Sequence, residues 1–165
     1  MFLSKLDSID EAREKIYAHQ KINGTEIIPI KEAHKRVLAK DILSFHDSPP
    51  FDKSAMDGFA LNAKDTFGAS NSLPKNLKII DAIGAGAESN KTIGENEAII
   101  IATGAPIPKG ADAVLMKEYT TVEDDEVTIT SQVTPGENIS PKAEDIKKGD
   151  VVLKQNTFIR YQEMG

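Results

Sequence analysis

The sequence contains no cysteine and no tryptophan, and aromatic residues make up only 5% of its 165 positions. Without cysteine the chain has no disulfide, no cysteine nucleophile, no cysteine-ligated zinc and no iron–sulfur cluster. It also lacks a run of about 18 apolar residues, which a membrane-spanning helix requires. The first ten residues lack the apolar core of a signal peptide, so the sequence predicts a cytoplasmic protein.

The sequence also lacks a net positive charge and a metal-binding pattern. The formal net charge is -6, which argues against nucleic acid or an anionic membrane as a partner. The chain has three arginines, Arg13, Arg36 and Arg160. Its three histidines show no metal-ligand spacing and are interpreted as surface or structural residues: His19, His34 and His46.

The first part of the sequence predicts helices. Ser8 followed by Glu11 has the spacing of a capping box, and Ile9, Ala12, Ile16 and Tyr17 recur on one helical face. Asn23-Gly24 predicts the turn that ends this helix. A second helix is predicted over Lys31–Lys40, with the last residues, Phe158–Gly165, read as another helix start.

After Pro49-Pro50 the pattern changes to short apolar stretches separated by turn residues, which is typical of a small β-barrel or β-roll. Strands are predicted at 58–62, 77–83, 98–102, 113–117, 127–130 and 151–154, with an acidic hairpin tip at 123–126. Gly84 and Gly86 lack the third glycine and the helix of a dinucleotide-binding fingerprint, and they predict a turn or bulge. The fold class predicted overall is α+β, with the β part dominant.

Three segments combine residue types suited to chemistry. The first places Asp57 among small residues beside Gly58, the second ends an apolar strand at Thr103-Gly104, and the third pairs Glu144 with Asp145. Each of them, taken alone, is better explained as an ordinary turn or strand connection. No carboxylate pair is assigned acid and base roles from spacing.

Together, and in this order, the three segments resemble the N-terminal half of the molybdopterin molybdenumtransferase family, which includes bacterial MoeA and the E-domain of gephyrin. The motifs are Ser-Ala-Met-Asp-Gly-Phe-Ala from Ser54, Thr-Gly-Ala-Pro-Ile-Pro-Lys-Gly-Ala-Asp-Ala-Val from Thr103, and Glu-Asp-Ile-Lys-Lys-Gly from Glu144. The resemblance covers essentially the whole chain.

The resemblance implies molybdenum cofactor biosynthesis: a transferase inserts molybdate into adenylylated molybdopterin and releases AMP. It implies Mg²⁺ as cofactor, molybdate as the inserted oxyanion, a homodimer, and contact with the adenylyltransferase that supplies the substrate. It also implies an elongated first domain, residues 1–45 and 141–165, interrupted by a β-rich domain at 46–140. The family's pterin-binding third domain and its C-terminal barrel are absent from the chain, so the 165 residues are expected to form one wall of an inter-subunit cleft with incomplete activity.

Carried over by matching motif positions, the catalytic residues are predicted to be Asp57, Thr103 and Asp145. Substrate-binding residues are predicted to be Ser54, Gly104 and Glu144, and no metal ligand is assigned. The carboxylates are candidates for holding Mg²⁺ or accepting a proton, and the Thr103 hydroxyl for hydrogen bonding to substrate or an oxyanion.

The chain departs from the family pattern at two glycine positions. Ala143 replaces the glycine that precedes the Glu-Asp pair, and Lys35, interpreted as a surface variation, replaces the glycine before Arg36. No arginine lies in the three motifs, so this piece alone is not a complete anion site. The alternative function is a non-catalytic dimerisation or scaffold module of the gephyrin type, and a second alternative is a small all-β binding domain that only shares these loops.

Overall fold

The computed structural model describes residues 7–21 and 24–165. The chain divides into two compact units, one made of Met1–Asp41 with Leu153–Gly165 and the other of Ile42–Val152. We call them the terminal unit and the central unit. The domain boundaries expected from the sequence differ from these limits and stay a prediction.

The terminal unit contains one α-helix, α1, Ile9–His19. The predicted capping box is confirmed, because the Glu11 N–H donates to Ser8 Oγ at 3.2 Å and the Ser8 N–H donates to Glu11 Oε2 at 2.7 Å. The helix ends before the predicted turn, of which Asn23 lies outside the described residues. The apolar side chains of α1, such as Ile9 and Tyr17, are exposed.

The predicted helix over Lys31–Lys40 is wrong. Only Ile30–Glu32 forms a short 3₁₀ helix, and the backbone turns at Lys35, whose φ is 64°. The backbone then pairs with the end of the chain: the Lys35 N–H donates to Ile159 O at 2.8 Å and the Leu38 N–H to Thr157 O at 2.9 Å. Pairing with a distant segment therefore overrides a local helical pattern.

The C-terminal residues form a 3₁₀ helix at Tyr161–Met164, where a helix start was predicted. The Tyr161 ring stacks on His34, with ring centroids 3.8 Å apart. His34 is therefore held by an aromatic contact within the terminal unit.

The central unit is mostly sheet and loop, with one short helix, α2, Ala63–Thr66. Ten strands are described in chain order, of which the first and last are two or three residues long. They are β1 Ile42–Leu43, β2 Lys53–Ser54, β3 Gly58–Leu61, β4 Lys75–Ile83, β5 Glu97–Ile101, β6 Ala113–Met116, β7 Thr120–Glu123, β8 Glu126–Ile129, β9 Ile139–Ser140 and β10 Val151–Leu153. Each of the six strands predicted from the sequence is present within two residues of its expected bounds, and β7 and β8 form the hairpin with the acidic tip.

Six of these strands form one sheet in the order β6-β3-β5-β4-β8-β7. All neighbours are antiparallel except β4 and β5, which run parallel. Both faces of the sheet are covered, because Phe59 and Leu61 of β3 pack in one buried cluster and Ala60 packs in another. Among the helices described, none is long and apolar enough to cross a membrane.

Candidate functional site

The first two motifs meet at the end of the sheet where β3 begins. Because β3 is antiparallel to both β5 and β6, its first residue lies beside the last residues of those strands. Gly58 pairs with Ile101 on one side and with Met116 on the other. Asp57, just ahead of β3, therefore lies between the loop after β5 and the residue after β6.

The Asp57 carboxylate is held by Thr103 and Lys117. Its Oδ1 atom accepts the Thr103 N–H at 2.8 Å and the Thr103 hydroxyl at 2.7 Å, and its Oδ2 atom lies 3.3 Å from Lys117 Nζ. The N–H of Thr103, then its hydroxyl, then the Lys117 ammonium lower the pKa of Asp57 to about 2. Asp57 is therefore ionised at neutral pH while half of its side chain stays exposed.

Gly58 is required by the close approach of β6. A Cβ atom at this position would lie 2.0 Å from the backbone oxygen of Leu115. The glycine beside Asp57 thus allows two strands to pack, and Asp-Gly here leads into a strand.

Ser54 fixes the loop that carries Thr103. The Ser54 N–H donates to Ala105 O at 2.9 Å, and the Gly104 N–H donates to Ser54 O at 2.8 Å. The Ser54 side chain is 1% exposed, and its hydroxyl donates to Met56 O at 2.6 Å. The structure gives Ser54 a loop-positioning role, and its predicted contact with substrate stays a prediction.

Gly104 completes the turn beside Thr103. It adopts a left-handed backbone with φ of 83°, and a Cβ atom there would meet no heavy atom within 4 Å. The glycine is therefore needed for its backbone conformation, and the space beside it is open.

The third motif attaches to the segment that ends at Asp57, which we call the anchoring segment, residues 47–57. The Asp145 N–H donates to Ser48 O and the Ala143 N–H donates to Pro49 O, each at 2.9 Å. The Glu144 and Asp145 side chains are exposed. Across the described residues, no hydrogen bond or ion pair joins Asp145 to the cluster of Asp57, Thr103 and Lys117.

Two aspartates of the anchoring segment strengthen this attachment. Asp52 Oδ1 accepts the Lys142 N–H at 2.7 Å, and Asp47 Oδ1 accepts the Lys148 N–H at 2.8 Å. The Lys148 N–H and then the Lys142 ammonium, 3.2 Å away, hold the pKa of Asp47 below its usual value. The anchoring segment therefore fixes the loops of both the second and the third motif.

Sequence reasoning missed Lys117, Asp47 and Asp52 as members of the site. Lys117 lies at the end of a correctly predicted strand, but its position next to Asp57 depends on the strand order, which the pattern does not contain. Asp52 and Asp47 flank the proline pair, and their carboxylates cap backbone N–H groups far along the chain.

The acidic residues of this site do not fit a Mg²⁺ centre by themselves. Asp57 already accepts two hydrogen bonds from Thr103 and faces the Lys117 ammonium, which opposes a second cation. Within residues 7–21 and 24–165, no three acidic or histidine side chains converge to hold a metal ion. No chemical step is therefore assigned to a metal bound by this chain alone.

A separate shallow pocket of about 130 Å³ opens beside the end of β6. It is lined by Leu115, Met116, Tyr119, Ser131, Gln132, Val133, Glu137 and Asn138. None of the predicted site residues lines it. The candidate site is therefore an open loop cluster and not this pocket.

Comparison with known proteins places the chain in a family. Residues 7–165 match the family model described as MoeA N-terminal region (domain I and II). A molybdopterin molybdenumtransferase of Staphylococcus aureus (strain Mu50) is 43% identical over 151 residues, which cover 92% of this chain and 36% of the relative. The Bacillus subtilis (strain 168) protein of the same name is 41% identical over 155 residues, with the same coverage.

Solved structures agree with the sequence comparison. The molybdopterin biosynthesis MoeA protein of Pyrococcus horikoshii OT3 matches with a TM-score of 0.82 and 43% identity, over 87% of this chain and 38% of that chain. A second structure of a P. horikoshii MoeA protein matches with a TM-score of 0.80 and 35% identity, over 97% of this chain and 41% of the other. The chain spans just over a third of the length of these relatives, and it belongs to the MoeA N-terminal region family.

Proposed function

We propose that this chain provides one wall of the active-site cleft of an enzyme that inserts molybdate into adenylylated molybdopterin and releases AMP. Support comes from the family match over residues 7–165 and from relatives named molybdopterin molybdenumtransferase. The observation that carries the proposal is the anchoring segment, because it holds the loops of all three motifs on one unit of the chain.

The geometry supports distinct tasks for the predicted residues. Asp57 has a pKa of about 2, which makes it a poor proton acceptor at neutral pH, and its oxygens instead position Thr103. Thr103 presents its side chain to solvent at the turn. Glu144 and Asp145 are exposed carboxylates that no cation of the described residues neutralises, and they are the candidates for proton transfer on this wall.

The proposal extends to architecture and partners. It takes the fold as α+β, with a discontinuous first domain and an inserted β-rich domain, and the assembly as a homodimer whose second subunit completes the cleft. Adenylylated molybdopterin is the substrate and molybdate the inserted oxyanion, with an adenylyltransferase as the supplier. The setting is the cytoplasm, and the Mg²⁺ implied by the family resemblance would need ligands from outside this chain or from the substrate phosphates.

A chimeric enzyme tests this function directly. Residues 7–165 of this chain would replace the matching region of the B. subtilis relative, and AMP release from adenylylated molybdopterin with molybdate would be measured. The chimera is expected to be active. Asp57→Ala is expected to lower turnover at least tenfold, because Thr103 loses both of its contacts to the carboxylate.

Asp124→Asn is the matched control. Asp124 lies at the tip between β7 and β8, with a φ of 50° that asparagine also tolerates. This variant should keep the turnover of the unmodified chimera. A folded chimera without activity would overturn the enzymatic proposal and favour the scaffold module, and full activity of Asp57→Ala would remove Asp57 from the site.

A further inference from the structure

The two hydrogen bonds between Thr103 and Asp57 fix which way the threonine hydroxyl can bond. A hydroxyl has one proton to donate and two lone pairs that accept. The single proton of Thr103 Oγ1 is given to Asp57 Oδ1 at 2.7 Å, and the Thr103 N–H reaches the same oxygen at 2.8 Å. Both bonds require Asp57 to accept, so the carboxylate leaves Thr103 no proton for a ligand.

Lys117 keeps the Asp57 carboxylate in its ionised form. Its ammonium lies 3.3 Å from Asp57 Oδ2, and its backbone N–H also donates to Asp57 O at 3.2 Å. A cation at this distance favours the ionised carboxylate, which cannot donate a proton back to Thr103. Lys117 and Asp57 together also carry no net charge, so the pair gives the loop little attraction for an anion.

The backbone around Thr103 offers an anion no donors either. The Thr103 N–H is bonded to Asp57, and the Gly104 N–H is bonded to Ser54 O. Loops that bind phosphate or similar oxyanions present several free N–H groups to the ligand. Here the surface beside Gly104 is open, and the side chain exposed on it presents oxygen lone pairs.

We infer that the Lys117–Asp57–Thr103 contacts make Thr103 a specificity residue that accepts a hydrogen bond from an N–H or O–H group of the substrate and rejects oxyanions. Lys117 acts through Asp57 and is a positioning residue. The inference rests on the proposed function in one respect, because the pterin ring of that substrate carries amino and ring N–H donors. It assigns the phosphate and molybdate contacts to groups other than Thr103.

The test titrates the 165-residue chain with separate probes while the amide signals of Thr103 and Gly104 are followed by NMR. Unsubstituted pterin supplies neutral N–H donors, and inorganic phosphate and sodium molybdate supply oxyanions. Pterin is expected to shift both signals in a saturable way, and the two anions are expected to leave them unmoved. Thr103→Val, which removes the hydroxyl but keeps the shape, should weaken pterin binding at least tenfold, whereas Thr103→Ser should retain it.

Thr121→Val is the matched control, because Thr121 is an exposed threonine on β7 whose strand partner is Thr128, and no hydrogen bond joins it to Asp57, Thr103 or Lys117 among the described residues. Its pterin titration should equal that of the unmodified chain. Saturable shifts of the Thr103 signal by phosphate or molybdate would overturn the inference. So would unchanged pterin binding in Thr103→Val, or the absence of any shift with pterin in the unmodified chain.

A change of selectivity separates positioning from a merely structural role. Asp57→Ala frees the Thr103 proton, so this variant is expected to gain phosphate binding and lose pterin affinity. Asp57→Asn keeps a carbonyl oxygen that accepts from Thr103, so it should keep measurable pterin binding even if the alanine variant does not fold. The Lys117 charge, left without its carboxylate partner, is expected to raise the affinity of this variant for phosphate. Loss of pterin binding in a folded Asp57→Asn variant would overturn the inference, whereas an inactive chimera with intact pterin selectivity would overturn only the proposed function.

Discussion

The central unit and the terminal unit differ most in what they bury. Among the described residues, the buried apolar side chains belong to the central unit with the single exception of Ala33. The terminal unit instead exposes large apolar side chains, including Ile16 on α1 and Phe158 near the C-terminus. The central unit therefore has the core that stabilises a fold, while the terminal unit depends on backbone pairing between residues 35–38 and 156–159.

This difference explains where the candidate site is located. Asp57, Thr103 and Lys117 lie just beyond the ends of β3, β5 and β6, strands in which most residues are buried. Side chains on such strand ends are held in place by the sheet, which is what a site of fixed geometry needs. An 11-residue helix with exposed apolar residues, such as α1, offers no comparable support.

The largest expected effect is on the free energy of unfolding, and one isoleucine from each unit is compared. Ile99 on β5 is 0% exposed, whereas Ile16 on α1 is 67% exposed. Ile99→Ala should lower the free energy of unfolding by about 3 kcal/mol, because it removes buried methyl groups and leaves a cavity. Ile16→Ala should change it by less than about 0.5 kcal/mol.

Urea denaturation followed by far-ultraviolet circular dichroism measures both isoleucine variants. Equal losses from the two substitutions would contradict the contrast between the units. A large loss from Ile16→Ala alone would mean that the apolar face of α1 is buried in solution.

An intermediate effect is expected at the two positions where the family resemblance implies glycine. Ala143 has a φ of 60° and Lys35 a φ of 64°, both in the left-handed region. The glycine preference is therefore a backbone requirement at both places, and at Lys35 it is more than a surface variation. Ala143→Gly should raise the stability of the central unit by about 0.5 kcal/mol, because the left-handed cost of about 1 kcal/mol exceeds the added entropy of glycine.

Lys35→Gly is the counterpart in the terminal unit. It should leave the urea midpoint of the central unit unchanged, because it relieves the same backbone conformation in the part without a core. A destabilising Ala143→Gly would contradict the backbone cost assigned to Ala143. A shift of the main transition by Lys35→Gly of the same size would show that the two units unfold together.

The smallest expected effect is a change in the pKa of one carboxyl group in the central unit, that of Asp57. Thr103→Val removes a hydroxyl donor from Asp57, so the pKa of Asp57 should rise from about 2 towards its ordinary value of about 3.9. Carbon-13 NMR of the Asp57 carboxyl group across an acid titration measures this rise. Thr121→Val should leave the pKa of Asp57 unchanged, and an unchanged pKa in Thr103→Val would mean that the hydroxyl does not bond to Asp57 in solution.

The sign of the accompanying pH dependence follows from linkage. Because the folded-state pKa of Asp57 is lowered, its stabilising contribution is present above the unfolded-state pKa of about 3.9. That contribution is lost as pH falls through about 2. In Thr103→Val the acid-dependent loss should therefore be smaller, and at neutral pH the variant should lack that part of the stability.

The sequence pattern predicts where the strands lie, but it does not predict which segments pair with one another. Short apolar stretches bounded by glycine, proline and acidic residues predicted β3 to β6 and the β7–β8 hairpin, because a strand buried on both faces appears in the sequence as a short apolar run between turn residues. The pattern over Lys31–Lys40 failed because the donors of Lys35 and Leu38 bond to residues near the C-terminus. A local sequence pattern carries no information about a hydrogen-bond partner so far along the chain.

The candidate site likewise contains residues that the sequence predicts and a residue that only the strand pairing reveals. The motif residues Asp57 and Thr103 were identified from sequence, and the structure brings them into contact. Lys117 was not identified, since the register of β3 against β6 places it there. The binding and catalytic roles of Ser54, Gly104, Glu144 and Asp145 stay predictions.

The contacts that build the site also join positions far apart along the chain. Asp57 meets Thr103 across 46 positions and Lys117 across 60, while Lys142 reaches Asp52 across 90 and Lys148 reaches Asp47 across 101. During synthesis from the N-terminus, the first motif therefore leaves the ribosome long before its partners exist. Closing such long loops costs chain entropy, and the cluster requires β3 to have paired with both β5 and β6. A partly synthesised chain that ends before residue 117 therefore displays the first motif without its charged partner.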